Sequence, residues 1–471
     1  MKNKFWARHF EGMGGIKALL PIAVPMILSN VFDTAMTVID RLFLGYVGKE
    51  QMAACMGGGV TAWTCMTLFV GIVSYVGAMV ARSYGANKKK NCIAIAYQGM
   101  YLSLFSYPLI LIIGFFAAKS FVWAGHDPLE ARYELIYFRY MIIGASSLAA
   151  LRMTLASFFV GLGKTKIIMY VNAVALITNV GINYILVFGK LGFPALGIHG
   201  AAIGTLVADV VITALLYFEF RKYSHKKEFE NATAKRLNWK LMKGLLHFGS
   251  PTGLDNMLST SAFAVVVSLF HGFGANSAAA LTIVLNWDMC TFLVMMGIQI
   301  AVTSLVSQCL GAENKDEAER AAYSGFKINF CFALVFVVLF LGFPRVLVSL
   351  FTPENQGIDY SGVISLAVPM LRAASCYLLF DCFYTTFSGA LRGGGDTMWS
   401  MIIGIVFNWF LTCVLLVSIY LLKLPMLYCW YMWVGFFFIG GIWVYLRFKT
   451  GHWKNFDILN QKDPLKIIEE L

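Results

Sequence analysis

Few residues in this sequence can do chemistry, and those that can are set singly into long apolar runs. Asp40 stands five residues before Gly45, Asn183 six before Gly189, and Asn179 one turn from Asn183 on the same helix face. Thr205 follows at a matching distance from the start of its own run. If the runs are helices, a rise of about 1.5 Å per residue buries Asp40 roughly 7–8 Å and Asn183 roughly 9 Å inside one boundary, with Thr205 level with them. A carboxylate and three neutral oxygen donors at one depth suit a small hard cation such as Na⁺, or a proton. The same four residues also suit a hydrogen-bonded clamp between helices, a common use of Asn and Thr. Asp33, two turns before Asp40, could extend that face, but a second interhelical contact accounts for it better.

A second set lies in the other half of the chain. Asp381, with Tyr377 one turn away, and Asp255 and Asp288 all fall near the centres of their runs. Ionisable groups in such positions are costly and mark functional sites by default. Here they offer a landing place for a cation or protons, or structural partners for Arg372 and Lys327. Met289, Met295 and Met296 suit either an adaptable lining for lipophilic ligands or ordinary packing. The ten cysteines are scattered without a CxxC pair and read as small apolar filling. No GxxxxGK[ST] occurs, which argues against direct use of ATP.

The elements that position these residues follow from composition. Of 471 residues, 59% are hydrophobic and 13% charged, and mean hydropathy is +0.71. A soluble chain carries roughly a quarter charged residues. Continuous apolar runs of the length that crosses a ~30 Å hydrocarbon core recur throughout, without the alternation of barrel strands. Spans are predicted at 17–44, 52–81, 91–118, 133–160, 167–188, 198–220, 241–271, 277–309, 320–343, 360–390, 398–422 and 426–448. The fold class is therefore an all-α membrane protein of twelve transmembrane helices. The net charge of +12 sits in short loops, which fits topology rather than nucleic-acid binding. One alternate set of loops holds Lys2, Lys4 and Arg8, then Arg82 with Lys88, Lys89 and Lys90, then Lys164 and Lys166. It continues with the basic stretch from Arg221 to Lys240 and closes with Arg447, Lys449, Lys454, Lys462 and Lys466. By the positive-inside rule this side is cytoplasmic, and both termini with it.

The chain also repeats itself. Pro25 answers Pro251, and VARSYGANKK from Val80 answers VSQCLGAENK from Val306, both 226 residues on. Gly161-Leu162-Gly163-Lys164-Thr165 answers Gly393-Gly394-Gly395-Asp396-Thr397 at 232. The organisation read from this is a six-helix lobe at 1–220, a cytoplasmic linker at 221–243, a second six-helix lobe at 244–450 and a cytoplasmic tail at 451–471. Two pseudo-symmetric bundles of one orientation are a transporter architecture.

At this point the chain resembles the multidrug and toxic compound extrusion (MATE) family over nearly its whole length. The resemblance rests on Pro21 to Pro25, on Ile39-Asp40 with Gly45 and Gly48, on Val80 to Ala86, and on Asn179 to Asn183 with Gly189, Gly192 and Gly197. The second half adds Pro251, Gly297 to Ala312, and Ser388-Gly389-Ala390-Leu391-Arg392-Gly393. It implies two lobes around a central cleft that opens alternately to either side, with export of lipophilic, often cationic compounds in exchange for Na⁺ or H⁺ and no other cofactor. By position Asp40 matches the family's first-helix acid, and Asn179, Asn183 and Thr205 its amino-terminal-lobe ion site. Asn183 stands where many members carry Asp. Asp381 and Tyr377 match a cation site of NorM-type members, whose seventh-helix Glu is Ser259 here; Asp255, one turn earlier, is the only nearby substitute. A monomer in the bacterial inner membrane, bounded by lipid and binding no nucleic acid, is the further implication.

Two other classes compete with this reading. A lipid-linked oligosaccharide flippase of the same superfamily would want a cleft rich in Arg and Lys, and Arg139, Arg152, Lys327 and Arg372 are few. A membrane-embedded prenyl or acyl transferase enzyme would need clustered Asp for Mg²⁺-diphosphate, or His with Asp near a membrane face, and no DDxxD is present.

Overall fold

The computed structural model describes residues 10–119, 121, 128–230, 233–351 and 360–459. Lys2, Lys4, Arg8, Lys462 and Lys466, which entered the topology count, lie outside the described residues. Twelve helices long and apolar enough to cross a membrane are present among the described residues: α1 Ile16–Val47, α2 Lys49–Gly85, α3 Lys89–Ala117, α4 Pro128–Gly161, α5 Thr165–Phe188 and α6 Ile198–Ser224, then α7 Trp239–His271, α8 Ala275–Gly311, α9 Lys315–Gly342, α10 Ser361–Gly394, α11 Thr397–Leu421 and α12 Met426–Lys449. No strand occurs among the described residues. Their surface inverts that of a soluble protein. Phe115 is 67% and Ile177 73% exposed, whereas Asp40, Asn172, Asn179 and Asn183 are buried. Such an arrangement is stable only where the surroundings are hydrocarbon.

The helices tolerate residues that would break a soluble helix. Pro21 and Pro25 lie inside α1, Pro108 in α3, Pro251 in α7 and Pro369 in α10. In lipid the backbone groups that proline frees are satisfied by neighbouring helices rather than by unfolding. Two π turns occur: Tyr140–Ala145 in α4 inserts extra backbone and re-phases the helix beyond it, and Val417–Leu421 closes α11. In α4 the residue brought round beyond the turn is Arg152.

The chain packs as two compact units. One comprises Pro21–Asn256 with Ser307–Asn314 and the described residues from Asp457; the other comprises the described residues up to Leu20 with those of Met257–Val306 and Lys315–Phe456. The first half of α7 therefore packs with α1–α6, and the division falls inside that helix. In the first unit Cys55, Met66, Ile110, Phe138, Ile142 and Val187 share one apolar core. In the second, Phe270, Val284, Phe340, Leu378, Leu415 and Trp430 share another.

The repeat seen in the sequence is also a repeat of backbone. Asn87 and Glu313, 226 residues apart, both take positive φ, 56° and 60°. Each closes its helix the same way, with Lys88 N–H reaching Ser83 O at 2.9 Å and Asn314 N–H reaching Cys309 O at 3.0 Å. Gly163 and Gly395 likewise both adopt positive φ, followed by Lys164 N–H to Phe159 O and Asp396 N–H to Leu391 O. Such left-handed helix ends favour glycine, so Asn87 and Glu313 hold the shape against some strain. Within the first unit the two copies of the VARSYGANKK motif touch reciprocally. A Cβ on Gly85 would fall 2.0 Å from the Gln308 carbonyl oxygen, and one on Gly311 would fall 2.2 Å from that of Arg82.

Candidate functional site

Three helices build the site around Asp40. α1 supplies the carboxylate, 4% exposed; α5 supplies Asn179 and Asn183, both buried; α6 supplies Thr205. Asn183 donates its amide N–H to Oδ1 of Asp40, and Thr205 Oγ1 lies 2.9 Å from Oδ2. Thr205 Oγ1 is also 3.0 Å from the Ala201 carbonyl, and its single hydrogen serves one of these at a time. With Asp40 ionised, the hydroxyl donates to the carboxylate. With Asp40 protonated, Oδ2–H can donate to Thr205, which turns its hydrogen to Ala201. The pocket thus accommodates both states without moving a heavy atom.

The same pocket has oxygen to spare. Oδ1 of Asn183 and both amide atoms of Asn179 are buried and take no hydrogen bond from the protein. Buried polar atoms without partners are rare and call for an ion, a water or a functional reason. Asp40, Asn179, Asn183 and Thr205 together present five side-chain oxygens of the hard type a monovalent cation prefers. Close packing fixes them: a Cβ on Gly204 would lie 1.8 Å from Asn183 Oδ1.

Asp33 does not extend this pocket but joins another. Oδ2 accepts the Asn172 amide at 3.1 Å, and Asn172 also donates to Ser29 Oγ at 2.7 Å. Oδ1 lies 3.6 Å from Arg152 Nη1, the nitrogen that reaches Asp209 Oδ1 at 3.2 Å. Arg152 was visible in the sequence as a basic residue inside a span, but Asp209 was passed over. Its signal was there, since Asp209 follows Thr205 by four residues and shares its helix face.

In the second half the grouping predicted from depth holds only in part. Tyr377 donates its phenol to Asp288 of α8, rather than serving Asp381 on its own helix. Their separation of one turn along α10 sets the spacing of Tyr377 and Asp381, and does not set which neighbour each meets. Ser259 accepts the amide of Asn408, on α11, at 3.2 Å. Asn408 was not foreseen as a member of the set. Asp255 belongs to the first unit, whereas Ser259, one turn on in α7, is assigned with Asp288, Tyr377 and Asp381 to the second. No group of three or more His, Cys, Asp or Glu able to hold a metal occurs among the described residues. The acyltransferase spacing HxxxxD does occur once, from His452 to Asp457, on the segment after α12 and outside the apolar spans.

The MatE family model matches residues 25–185 and again 251–417, so its two copies begin 226 residues apart, as the internal repeat does. The chain is 25% identical over 455 residues, covering 95% of both proteins, to the "Probable multidrug resistance protein NorM" of Thermotoga maritima. It is 29% identical over 387 residues to the multidrug resistance protein NorM of Aliivibrio fischeri, covering 81% of this chain and 82% of that one. Among solved structures, a MOP superfamily transporter from Pyrococcus furiosus superposes with a TM-score of 0.83 at 21% identity, over 94% of this chain and 97% of the other.

Proposed function

Because the chain belongs to the MatE family, an integral membrane transporter rather than an enzyme, we propose that it exports lipophilic, often cationic small molecules by antiport against Na⁺ or H⁺, with Asp40 as the coupling acid. The names of its relatives, multidrug resistance proteins, support the efflux reading. The observation that carries the coupling is the pocket itself: a buried carboxylate with two donors, a hydroxyl that serves either protonation state, and three spare amide atoms.

Antiport requires only that the ion and the exported compound favour different conformations. An external cation entering the Asp40 pocket stabilises the state that releases substrate; its departure on the other side restores the state that takes substrate up. One elementary charge moving across about 100 mV releases about 2.3 kcal/mol. If a monovalent cationic substrate leaves as one ion enters, no net charge moves, and the chemical gradient of the ion is the whole drive. The reading further places the protein as a monomer in the bacterial inner membrane, surrounded by lipid, with both termini cytoplasmic. A flippase for anionic lipid-linked sugars is disfavoured by Arg152, which is matched by two carboxylates.

The test is efflux of ethidium, a fluorescent lipophilic cation, from proteoliposomes under an imposed Na⁺ or H⁺ gradient. Wild type should export under one of the gradients and Asp40→Asn should export at background rate while inserting normally. Full gradient-driven export by Asp40→Asn would remove Asp40 from the coupling role.

A further inference from the structure

The polar residues of α1, α5 and α6 repeat along each helix. On α1, Asp33 precedes Asp40 by seven residues, about 10 Å and nearly the same angular position. On α5, Asn172 precedes Asn179 by the same seven, and on α6 Asp209 lies one turn beyond Thr205. Since α5 runs parallel to α1 in sequence sense and α6 opposite, all three displacements point the same way, toward the end of the unit where α1 begins. Asn172 donates to Asp33 as Asn183 donates to Asp40. Between the two levels stands Asn179, with neither amide atom hydrogen-bonded by the protein.

The deeper level is unbalanced in charge. Asp33 and Asp209 share one nitrogen of one guanidinium, and Asp33 Oδ1, at 3.6 Å from it, makes no hydrogen bond. Two carboxylates against one arginine leave one negative charge near the middle of the membrane, where an unmatched charge is expensive. One more positive charge would neutralise the cluster. The Asp33 side chain is 36% exposed, against 16% for Asp209, so Asp33 is the more open of the two acids although its Oδ1 is buried. Side chains of this charge, partly open in mid-span, face water rather than lipid. Arg152, 3.6 Å from Asp33 Oδ1, repels a metal cation at that oxygen; a proton needs no room. The ionisable groups facing Asp33 are Arg152 from α4 and Asp209 from α6, while α5 offers the neutral Asn172 and α1 itself Ser29.

We propose that Asp33, balanced by Arg152 and Asp209, is a second proton station of the coupling path, which receives the proton that leaves Asp40 and holds it before its exit. This rests on the antiport reading, and it narrows the coupling ion to H⁺. Arg152 and Asp209 act as positioning residues that set the charge Asp33 must neutralise.

The test uses full-length protein in proteoliposomes containing pyranine, with ethidium as substrate. Two rates are read: ethidium export driven by a pH gradient with its opposed proton flux, and ethidium self-exchange with no gradient. Asp33→Asn should lose at least tenfold in gradient-driven export and proton flux, while self-exchange stays within about threefold. Asp33→Glu should restore coupling with a displaced pH profile. Should Asp33→Asn not fold, the displaced pH profile of Asp33→Glu carries the test, and an unchanged profile overturns the proposal. Proton-driven export by Asp33→Asn within threefold of wild type overturns it and leaves the Asp40 reading standing. So does a wild type driven by Na⁺ without proton flux. Loss of both rates in Asp33→Asn with no rescue by Glu makes the cluster an interhelical clamp. A wild type inert under every gradient removes the antiport reading and this proposal together.

Discussion

Gly204→Ala tests the Asp40 pocket without touching any of its polar groups. The added Cβ would lie 1.8 Å from Asn183 Oδ1 and 2.8 Å from its Cγ, while the Asn183 backbone nitrogen stays clear at 3.4 Å. The nearest atom must retreat by more than 1 Å, and the side-chain amide is what can move. Asn183 then loses its hold on Asp40 while α5 and α6 keep their packing. A hydrogen bond to a charged group contributes about 1.5–3 kcal/mol, and each 1.4 kcal/mol is tenfold. Gly204→Ala should therefore shift the ion's apparent affinity by roughly 10- to 100-fold, upward for H⁺, whose binding no longer competes with the Asn183 donor, read as the ion concentration, or pH, at half-maximal ethidium export. Membrane insertion and detergent-solubilised monodispersity should match wild type. Export with an unshifted half-maximal point would refute the claim that Asn183 and Asp40 act as one unit.

Two further expectations follow from other parts of the molecule. Gly311→Ala places a Cβ 2.2 Å from the Arg82 carbonyl, a backbone atom that cannot rotate away; overpacking of this kind costs about 1–3 kcal/mol, so the melting temperature in detergent should fall, whereas Gly435→Ala, with open space around it, should not lower it. The hydrogen bond and charge of Lys89 hold the Glu228 carboxyl below its ordinary value of 4.5; the pair's contribution is complete above that pH and fades as pH falls through the lower folded value, and Lys89→Gln should return the Glu228 titration, followed by NMR, to the ordinary range.

What the sequence revealed depended on whether depth or rotation decided the answer. Depth is legible, because helix rise is constant and span ends carry glycine and charge. Asp40, Asn183 and Thr205 were grouped on depth and do meet. The twelve spans were also legible, though their bounds were drawn short. α9 starts at Lys315 rather than 320 and α10 runs to Gly394 rather than 390, because an apolar criterion stops at the first charges while the helix continues through the interface. Rotation about a helix axis is not written in spacing. Tyr377 reaches Asp288 and not Asp381 because α10 is turned to present it to α8, an outcome of tertiary packing. Arg152 adds a second obstacle: the π turn before it in α4 shifts its angular position by about one residue, so a regular helical wheel misplaces it relative to Asp33 and Asp209.

The reciprocal contact of Gly85 and Gly311 bears on how the chain arose. Carried back to an unduplicated six-helix protein, it becomes one glycine packed against the residue three before its own copy, the self-complementary interface of a symmetric dimer. In such an ancestor every residue appeared twice, and an acid placed in one subunit was forced upon the other. Fusion of the genes lifted that constraint. At the offset of 226, Asp40 corresponds to Val266 and Asp33 to Ser259, so the halves have kept a common backbone while one alone retained these carboxylates. Duplication here left one copy free to carry the Asp40 and Asp33 pockets, while the tight glycine seam is common to both.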